Sequence, residues 1–406
     1  MEFINKGKIY APKDIKTVLY TSLDGVELVR TLNHKALLIN APCSFDIETS
    51  SFYVENGKSY SENNKMQTRT KVAIMYEWTL GINGFVIIGR TWDEFLSCIN
   101  TIVKVLELSD EKRIVIYVHN LSYAFQFMRK HFEWSQVFAV EPRKPVYAIT
   151  TNGIEFRDSY ILSGYSLAKL GDELQKYPVK KMVGDLDYSL IRHAETPLTE
   201  KELKYCENDV RVVMSYIQER IEIDGDIAKI PLTKTGYVRR FCKNECMYVA
   251  GQSHKTKESK RKYNKYRELM NALTLTPDEY KQAKRAFQGG FTHCNAMYSG
   301  KIEYNVASYD FTSSYPAVMV SEMYPMSRAE MVHPKTWNEF NNYLKYYCCM
   351  FDAKIINLRP KWFFENPLSL SRCYNIVNPI VNNGRIAYAD ELRTTMTEQD
   401  YFIYQQ

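Results

Sequence analysis

The sequence predicts a mixed α/β domain over roughly residues 43–225, followed by a second α/β or α+β region that continues to the C-terminus. Strand-like runs alternate with stretches of helical apolar spacing up to about residue 225. A strongly basic stretch at 254–270 then interrupts this pattern. The length of 406 residues exceeds one ordinary domain, and 45% hydrophobic residues can fill more than one core.

The first region is predicted from its strand and helix patterns. Runs of β-branched and aromatic residues predict strands at 43–49, 71–78, 84–89, 113–120 and 153–159. Apolar residues at helical spacing predict helices at 91–108, 121–134 and 199–223. Thr91 and Thr199 stand where N-caps are expected for two of these helices. Residues 1–42 form a lead-in with no clear pattern.

The basic stretch contains seven Lys or Arg between residues 255 and 267. A solvated helix or linker is the commoner meaning of such a charge run, and a connection that contacts nucleic-acid phosphates is the alternative. We therefore predict a basic linker region at 226–286 and a further folded region at 287–406.

Composition excludes several classes of protein. The first residues contain no apolar signal-peptide core, and no run of 18 apolar residues is present that would span a membrane. Nine cysteines include no Cys-x-x-Cys pair and no complete zinc pattern, which predicts reduced thiols in a cytoplasm. The net charge of +6 permits nucleic-acid binding without requiring it.

Two pairs of polar residues suggest chemistry. Asp46 and Glu48 end a buried strand, and alternation places both carboxylates on the same face. Their repulsion needs a compensating charge, which is usually a divalent metal. Tyr205 and Asp209 lie four residues apart on the long predicted helix and so share one face. Each pair alone is common, because solvated acids end many strands and polar pairs line many helices.

A third element, H-N-x-x-Y, lies at the predicted strand-to-helix junction within 117–127. Asn120 and Tyr123 there can hold a single-stranded nucleic-acid end by hydrogen bonding and stacking. The order of the three elements, D-x-E, H-N-x-x-Y and then Y-x-x-x-D, resembles the three exonuclease motifs of proofreading DNA polymerases.

Further segments narrow this resemblance. SYDFTSSYPAVM (308–319) resembles motif A of family B DNA polymerases. AFQGGFTHCN (286–295) resembles the Tyr-x-Gly-Gly segment that links their two domains, with Phe287 at the Tyr position. VGDLDYS (183–189) is similar to a segment typical of the protein-primed bacteriophage subgroup. Five segments in the family's order cover roughly 45–316, so the chain resembles the N-terminal portion of such a polymerase.

The resemblance implies a ribonuclease-H-like 3′–5′ exonuclease domain and a partial polymerase palm, both using two-metal sites for Mg²⁺ or Mn²⁺. In the exonuclease it implies that Asp46, Glu48 and Asp209 bind metal. Tyr205 would orient the attacking water. The residues implied to contact the primer end are Thr49, His119, Asn120, Tyr123, Phe127 and Ser159. Ser166 competes with Ser159 for the last of these roles.

For the palm, the resemblance implies that Asp310 binds catalytic metal and that Tyr315 contacts the incoming nucleotide and selects deoxyribose. Ser313, Gly289 and Gly290 would contact DNA. The implied partners are primer-template DNA, a single-stranded 3′ end, deoxynucleoside triphosphates, a terminal-protein primer and a second polypeptide that carries the rest of the polymerase. No membrane is implied, and a phage gene would place the protein in the host cytoplasm.

Three departures from the family pattern stand out. Ala124 occupies a position where the family has a carboxylate for the second exonuclease metal. Val183 replaces the Lys of a K-G-D segment, and Lys181 is near but displaced and receives no role. The later N-S-x-Y-G and D-T-D motifs do not occur before Gln406. The alternatives are therefore a free-standing exonuclease, or a DNA-binding replisome protein that has lost both activities.

Overall fold

The computed structural model describes residues 8–61, 65–182, 190–254, 256–290, 292, 298–361 and 367–405. These residues belong to two compact units, Met1–Lys243 and Asn244–Gln406. The segment 183–189 lies outside the described residues, as do residues 291 and 293–297 of the segment that resembles Tyr-x-Gly-Gly. Within the described ranges, no helix has the length and apolar character needed to cross a membrane, and every cysteine is a free thiol.

The first unit consists of one large sheet and the helices that cover it. Its strands are β1 (Ile9–Tyr10), β2 (Leu28–Arg30), β3 (Leu37–Ile39), β4 (Cys43–Glu55), β5 (Lys58–Tyr60), β6 (Thr70–Ile82), β7 (Phe85–Gly89), β8 (Lys112–Val118), β9 (Trp134–Glu141), β10 (Lys144–Thr150) and β11 (Ile154–Asp158). Its helices are α1 (Ile15–Ser22), α2 (Trp92–Leu106), α3 (Leu121–Met128), α4 (Ser159–Ser163), α5 (Leu167–Asp172) and α6 (Glu200–Asp224). Helix α7 (Lys234–Met247) follows.

The main path of the sheet runs β1-β7-β6-β4-β8-β11-β10-β9, with β2 and β3 attached through β8 and β5 attached to β4. Strand β4 is central: it pairs antiparallel with β6 and parallel with β8. The lead-in therefore contributes to this sheet, because β1 pairs with β7 and β3 pairs with β8. A mixed α/β fold was predicted and is confirmed.

The two faces of the sheet hold separate cores. Phe45 and Ile47 of β4 pack into the apolar cluster that contains residues of α1, α2 and α3. The opposite face carries two clusters built around α6, which contain Tyr117 and Val213 in one and Val210 in the other. Because neighbouring strand residues point to opposite faces, Asp46 and Glu48 lie on the side of α6.

A β-bulge lies beside this carboxylate pair. Glu48 pairs with Glu77 and Thr49 pairs with Met75, which leaves Tyr76 as the extra residue on β6. The Tyr76 carbonyl accepts a hydrogen bond from Arg90 Nε at 2.8 Å, so the unpaired backbone oxygen is satisfied. The bulge thus fixes which β6 side chain stands next to Glu48.

The predicted helix over 121–134 is shorter than expected. Helix α3 ends at Met128, and Trp134 already begins β9. Aromatic contacts with α2 fix the segment between α3 and β9. His131 stacks on Trp92 at 4.5 Å between ring centroids, and the Phe132 and Phe95 ring centroids lie 6.2 Å apart. These contacts with α2 are tertiary, so helical spacing alone does not reveal where the helix stops.

The second unit has a smaller buried apolar cluster than the first unit. Its helices are α8 (Lys257–Ala272), α9 (Pro277–Ala286), α10 (Ser314–Ser321), α11 (Trp337–Tyr346) and α12 (Glu398–Gln405). Its strands are β12 (Met350–Leu358), β13 (Cys373–Val377), β14 (Ile380–Asn382) and β15 (Arg385–Thr397). Strand β15 pairs antiparallel with the other three. Ile386, Ala389 and Leu392 of β15 form the buried cluster.

The motif A segment stands outside this sheet. Helix α10 carries no buried residue, and the described residues from 298 to 338 are exposed throughout. Apolar side chains in this stretch are strongly exposed, including Phe311 at 86% and Val320 at 88%. The described part of the second unit therefore supplies no apolar cover for α10.

Candidate functional site

Three carboxylates converge between the central strand and the long helix. Asp46 and Glu48 extend from β4 and Asp209 from α6, and one oxygen from each lies within 4.8 Å of the others. Glu48 and Asp209 are buried, and Asp46 is half-buried. It is the one group of three or more potential metal ligands found among the described residues. The two sequence pairs are thus brought together as predicted.

Helix α6 is fixed over β4 by its cap and by a close approach to β6. Thr199 and Glu202 form a capping box at its first turn, and Arg192 binds Glu202 at 2.6 Å. Further along, Met214 packs where a side chain on Gly81 of β6 would stand, since an added Cβ would lie 2.6 Å from Met214 Cε. A larger residue at position 81 would therefore require the Met214 side chain to move.

The cluster is electrostatically strained by burial and mutual repulsion. Burial raises the pKa of Asp46, and the nearby Asp209 carboxylate raises it further. Burial also raises the pKa of Glu48, with added repulsion from Asp46. The pKa of Asp209 is raised by burial, although the Lys181 ammonium opposes this. A cation at this point favours the ionised forms.

Lys181 is the protein's own cation in this site. Its Nζ lies 2.7 and 2.6 Å from the two carboxylate oxygens of Asp209 and donates to the Tyr205 hydroxyl at 3.0 Å. The same ammonium lies 4.4 Å from the centroid of the Tyr205 ring. The sequence analysis assigned no role to Lys181. This lysine is two residues before the position where the family has one, and a loop residue has no helical or strand spacing that would indicate its contacts.

Asn208 explains how Lys181 is placed. Its Nδ2 donates to the carbonyl of Lys180 at 3.0 Å, and its Oδ1 accepts from the backbone N–H of Met182 at 2.9 Å. One side chain on α6 therefore makes hydrogen bonds to the backbone on both sides of Lys181. We call this pair of hydrogen bonds the Asn208 clamp.

Glu77 is a fourth acid beside the cluster that the sequence analysis missed. It pairs with Glu48 across β4 and β6, so the two side chains share a face. Glu77 is 1% exposed and accepts a hydrogen bond from Thr79 Oγ1 at 2.5 Å. Burial raises its pKa to about 8. An acid that pairs with the D-x-E strand could in principle be found from the sequence. The bulge at Tyr76 shifts the strand register, so the pairing of Glu77 with Glu48 cannot be derived from residue spacing.

Several residues assigned to the primer end contact one another, beginning with Thr49, which follows Glu48 in β4. The Thr49 and Tyr123 hydroxyls are hydrogen-bonded, and the Tyr123 and Phe127 rings lie 5.3 Å apart. Tyr123 is 45% exposed, which leaves its ring open to stacking. Asn120 has the left-handed conformation, with φ of 70°, at the N-cap of α3, and its side chain makes no capping hydrogen bond.

His119, which is half-buried, contacts the buried Ser159. His119 Nδ1 and Ser159 Oγ lie 3.1 Å apart. Burial lowers the pKa of His119 to about 4, and the nearby Lys181 ammonium acts in the same direction. Ser159 is fully buried, so any influence on a bound strand would be transmitted through His119. Ser166, its competitor, is exposed and caps α5 by accepting from Lys169 N.

Ala124 lies on α3 with 2% exposure and belongs to the apolar cluster that contains Phe45 and Ile47. Its methyl group cannot coordinate a cation. The donor set of Asp46, Glu48 and Asp209 does fit one Mg²⁺ or Mn²⁺, because hard divalent cations prefer carboxylate oxygens. The chemistry of these donors therefore fits a first metal and leaves a second without the ligand expected from α3.

The residues assigned to the palm lie in the second unit. Asp310, Ser313 and Tyr315 are exposed, and Ser313 has the left-handed conformation at the N-cap of α10. A Cβ added to Gly290 would lie 3.7 Å from the Tyr315 hydroxyl, whereas Gly289 faces open space. Asp310 is not part of any carboxylate cluster among the described residues.

Comparison with known proteins shows which polymerases this chain resembles. A family model described as DNA polymerase type B, organellar and viral, matches residues 176–369. That range contains α6 with Tyr205 and Asp209 as well as the motif A segment. In this range the chain is similar to type B DNA polymerases of organelles and viruses.

The particular relatives include the DNA polymerase of Bacillus phage phi29, which is 24% identical over 315 residues, covering 71% of this chain and 49% of the relative. The DNA polymerase of Bacillus phage B103 is 26% identical over 260 residues, covering 59% of this chain and 39% of the relative. The chain thus spans about half the length of the phi29 relative and a smaller share of the B103 relative.

Solved structures of phi29 DNA polymerase share the fold. The complex with single-stranded DNA has a TM-score of 0.53 at 16% identity, covering 90% of this chain and 57% of that chain. The ternary complex with primer-template DNA and incoming nucleotide has a TM-score of 0.50 at 14% identity, covering 90% and 58%. The predicted mixed α/β fold is therefore confirmed, since it matches a little over half of the chain of phi29 DNA polymerase.

We predict that Glu77→Gln alters the pH dependence of folding stability. The pKa of Glu77 in the folded protein, about 8, lies above its ordinary value of 4.5. The stability that its bound proton provides is therefore present below about pH 4.5 and is lost as the pH rises to about 8. Glutamine stays neutral, so the variant should gain stability over the unaltered chain between these limits, by roughly 1 kcal/mol per pH unit.

Denaturant unfolding at several pH values from about 5 to 8 measures this difference. Glu111→Gln, at an exposed position of the same unit, is the matched control and should give a profile parallel to that of the unaltered chain. Parallel profiles for Glu77→Gln as well would show that Glu77 is ionised in the folded protein throughout this range.

Proposed function

We propose that this chain is the N-terminal portion of a protein-primed, family B DNA polymerase, whose first unit is the 3′–5′ editing domain and whose second unit carries part of the palm. The observation that carries this proposal is the meeting of Asp46, Glu48 and Asp209 on either side of one cleft, with Tyr205 one turn from Asp209. This arrangement matches the roles that the exonuclease motifs imply, on a fold shared with phi29 DNA polymerase.

The editing chemistry can be assigned to named side chains. Tyr123 and Phe127 offer aromatic surface for the terminal bases, and the Thr49 hydroxyl positions Tyr123. The Tyr205 hydroxyl accepts a hydrogen bond from Lys181 one turn of α6 away from Asp209, which places it to orient the attacking water beside the carboxylates. Asp46, Glu48 and Asp209 would hold a divalent metal, which would supply a lowered pKa for the attacking water and positive charge beside the phosphate.

Ala124 favours a second candidate function for the same cleft. A site that binds a single-stranded 3′ end without cutting it efficiently would serve as a holding site for the primer strand. The contacts among Thr49, Tyr123 and Phe127 do not depend on a second metal, so binding survives where cleavage is weak.

We predict weak cleavage of single-stranded DNA by the unaltered chain with Mg²⁺ or Mn²⁺. Ala124→Asp should raise the rate by about 100-fold or more, because a second metal contributes several kcal/mol of transition-state stabilisation. Asp46→Ala should remove the remaining activity. The release of labelled 3′-terminal nucleotides measures each rate.

Ala124→Asn is the matched control for this substitution, since it adds a polar side chain of the same size without a carboxylate. It should leave the rate near that of the unaltered chain, and thermal melting should confirm that both variants are folded. Rapid cleavage by the chain that retains Ala124 would contradict the prediction.

The synthetic role is assigned to the second unit. We propose that Asp310 supplies a metal-binding carboxylate and Tyr315 contacts the incoming nucleotide. Asp310 belongs to no group of three or more potential metal ligands among the described residues, and metal ions that bridge the phosphate oxygens in phosphoryl transfer need further ligands besides one carboxylate. The second polypeptide, the terminal-protein primer and the nucleotide substrates belong to this proposal.

Primer extension tests the polymerase assignment. The 406-residue chain alone should not extend a primer, whereas its mixture with a polypeptide that carries the N-S-x-Y-G and D-T-D motifs should do so. In that mixture Asp310→Ala should abolish extension and Tyr315→Val should increase ribonucleotide incorporation. Extension that persists in the Asp310→Ala mixture would refute the role of Asp310.

Helix α8 gives the proposal a second DNA-binding surface. Lys257, Arg261 and Lys265 recur every four residues and share one exposed face, and Lys260 lies beside them. None of the four makes an ion pair with another described residue. The first three span about 12 Å along the helix, which is long enough to meet several successive phosphates.

We predict that the triple variant Lys257→Ala, Arg261→Ala, Lys265→Ala binds primer-template DNA more weakly and with a flatter salt dependence. The slope of log affinity against log salt should fall by roughly 0.7–0.9 for each phosphate that the variant no longer neutralises. Fluorescence anisotropy at several salt concentrations measures the slope.

A triple alanine variant at Lys281, Lys301 and Lys345 changes the charge of the same unit equally, at exposed positions outside α8. It should retain most of the slope. An equal fall of the slope in the two triple variants would mean that α8 acts only through net charge and is an ordinary linker helix.

A further inference from the structure

We propose that the carboxylate cluster is a one-metal centre in which the ammonium group of Lys181 takes the place of the second cation. This inference rests on the proposed editing site, but it concerns how many metal ions the site holds and not whether the site cleaves DNA. Two features of the chain carry it: the supply of oxygen donors and the position of the fixed positive charge.

The supply of donors is sufficient for one metal. Asp46, Glu48 and Asp209 each present an oxygen to a common point. Both oxygens of Asp209 also contact Lys181 Nζ, at 2.7 and 2.6 Å, so this carboxylate has less capacity left for bridging two metals. The α3 position that would serve a second metal is the buried methyl of Ala124.

Glu77 does not replace the missing acid. It lies on β6, on the other side of β4 from β8, the strand that leads into α3. Its carboxyl is 1% exposed, bonds to Thr79 Oγ1, and is absent from the group of acids that meet within 4.8 Å. No other described carboxylate joins that group.

Charge balance also indicates one metal ion in the cluster. The three carboxylates carry −3 when ionised and Lys181 carries +1, so one divalent cation neutralises the cluster. A second dication would leave an excess of +2 in a cleft where Glu48 and Asp209 are 9% and 6% exposed. Uncompensated charge in so buried a position is strongly unfavourable.

Lys181 is held in this place by the fold, which distinguishes it from a mobile surface lysine. The Asn208 clamp fixes the backbone on both sides of it, and the Tyr205 hydroxyl and ring contact its ammonium. The Lys181 side chain is 17% exposed. A fixed ammonium at hydrogen-bonding distance from a metal ligand adds positive charge without needing ligands of its own.

Counting Mn²⁺ bound to the full-length chain tests the proposal. Electron paramagnetic resonance of free Mn²⁺, in an Asp310→Ala background that removes the palm ligand, should show one tight site. Asp46→Asn should remove that site, Asp110→Asn at an exposed position should leave it unchanged, and Ala124→Asp should add a second. Two tight sites in the chain with Ala124, both lost in Asp46→Asn, would overturn the proposal.

Two further variants separate the contributions. Lys181→Met should tighten the single Mn²⁺ site by about tenfold, since a nearby positive charge is removed, whereas Lys181→Arg should bind Mn²⁺ much as the unaltered chain does. Unchanged affinity in Lys181→Met would show that the ammonium does not act as a cation in the site. A second site that disappears in Glu77→Gln would instead assign the missing ligand to Glu77 and overturn the one-metal count.

These measurements need no DNA and no turnover. The proposed function would be refuted, and the one-metal centre left standing, by a chain that binds one Mn²⁺ as described while its Ala124→Asp variant does not cleave DNA and its mixture with the later-motif polypeptide does not extend a primer. A chain that binds two Mn²⁺ and edits DNA would do the reverse.

Discussion

Repulsion among three carboxylates in a poorly hydrated cleft is the constraint around which the first unit is organised. Asp46 and Glu48 come from alternate positions on one face of β4, and Asp209 is brought to them by α6. Burial raises the pKa of all three acids. The Lys181 ammonium relieves part of the repulsion, and its position depends on Asn208, which belongs to the same turn of α6 as Asp209.

The sequence predicted the parts of this site that depend on periodicity. Alternation on a strand paired Asp46 with Glu48, and helical spacing paired Tyr205 with Asp209, so their meeting needed only a sheet with a helix above it. Lys181 and Glu77 could not be predicted in this way. Lys181 is placed by a side-chain clamp, and the register of Glu77 depends on a bulge in β6. Both are tertiary features without a local pattern.

The two units differ in how completely their elements are covered. Alternate residues of β4 and β8 are buried by helices on both faces of the large sheet. In the second unit the buried cluster of β15 is small, and α10, which carries Tyr315, has no buried residue among those described. Motif resemblance predicted which residues stand in this segment, but the degree of packing could not be derived from it.

The carboxylate cluster is built by β4 and α6, whereas Ala124 lies on a separate helix, α3, and this separation affects how such a chain can evolve. The acids proposed to bind metal and the clamp are on the first pair of elements, while Ala124, the residue proposed to limit the site to one metal, is on α3. Every alanine codon is one base away from a codon for aspartate or glutamate. A lineage can therefore lose or regain an acid at this position in a single mutational step, while the residues on β4 and α6 stay unchanged.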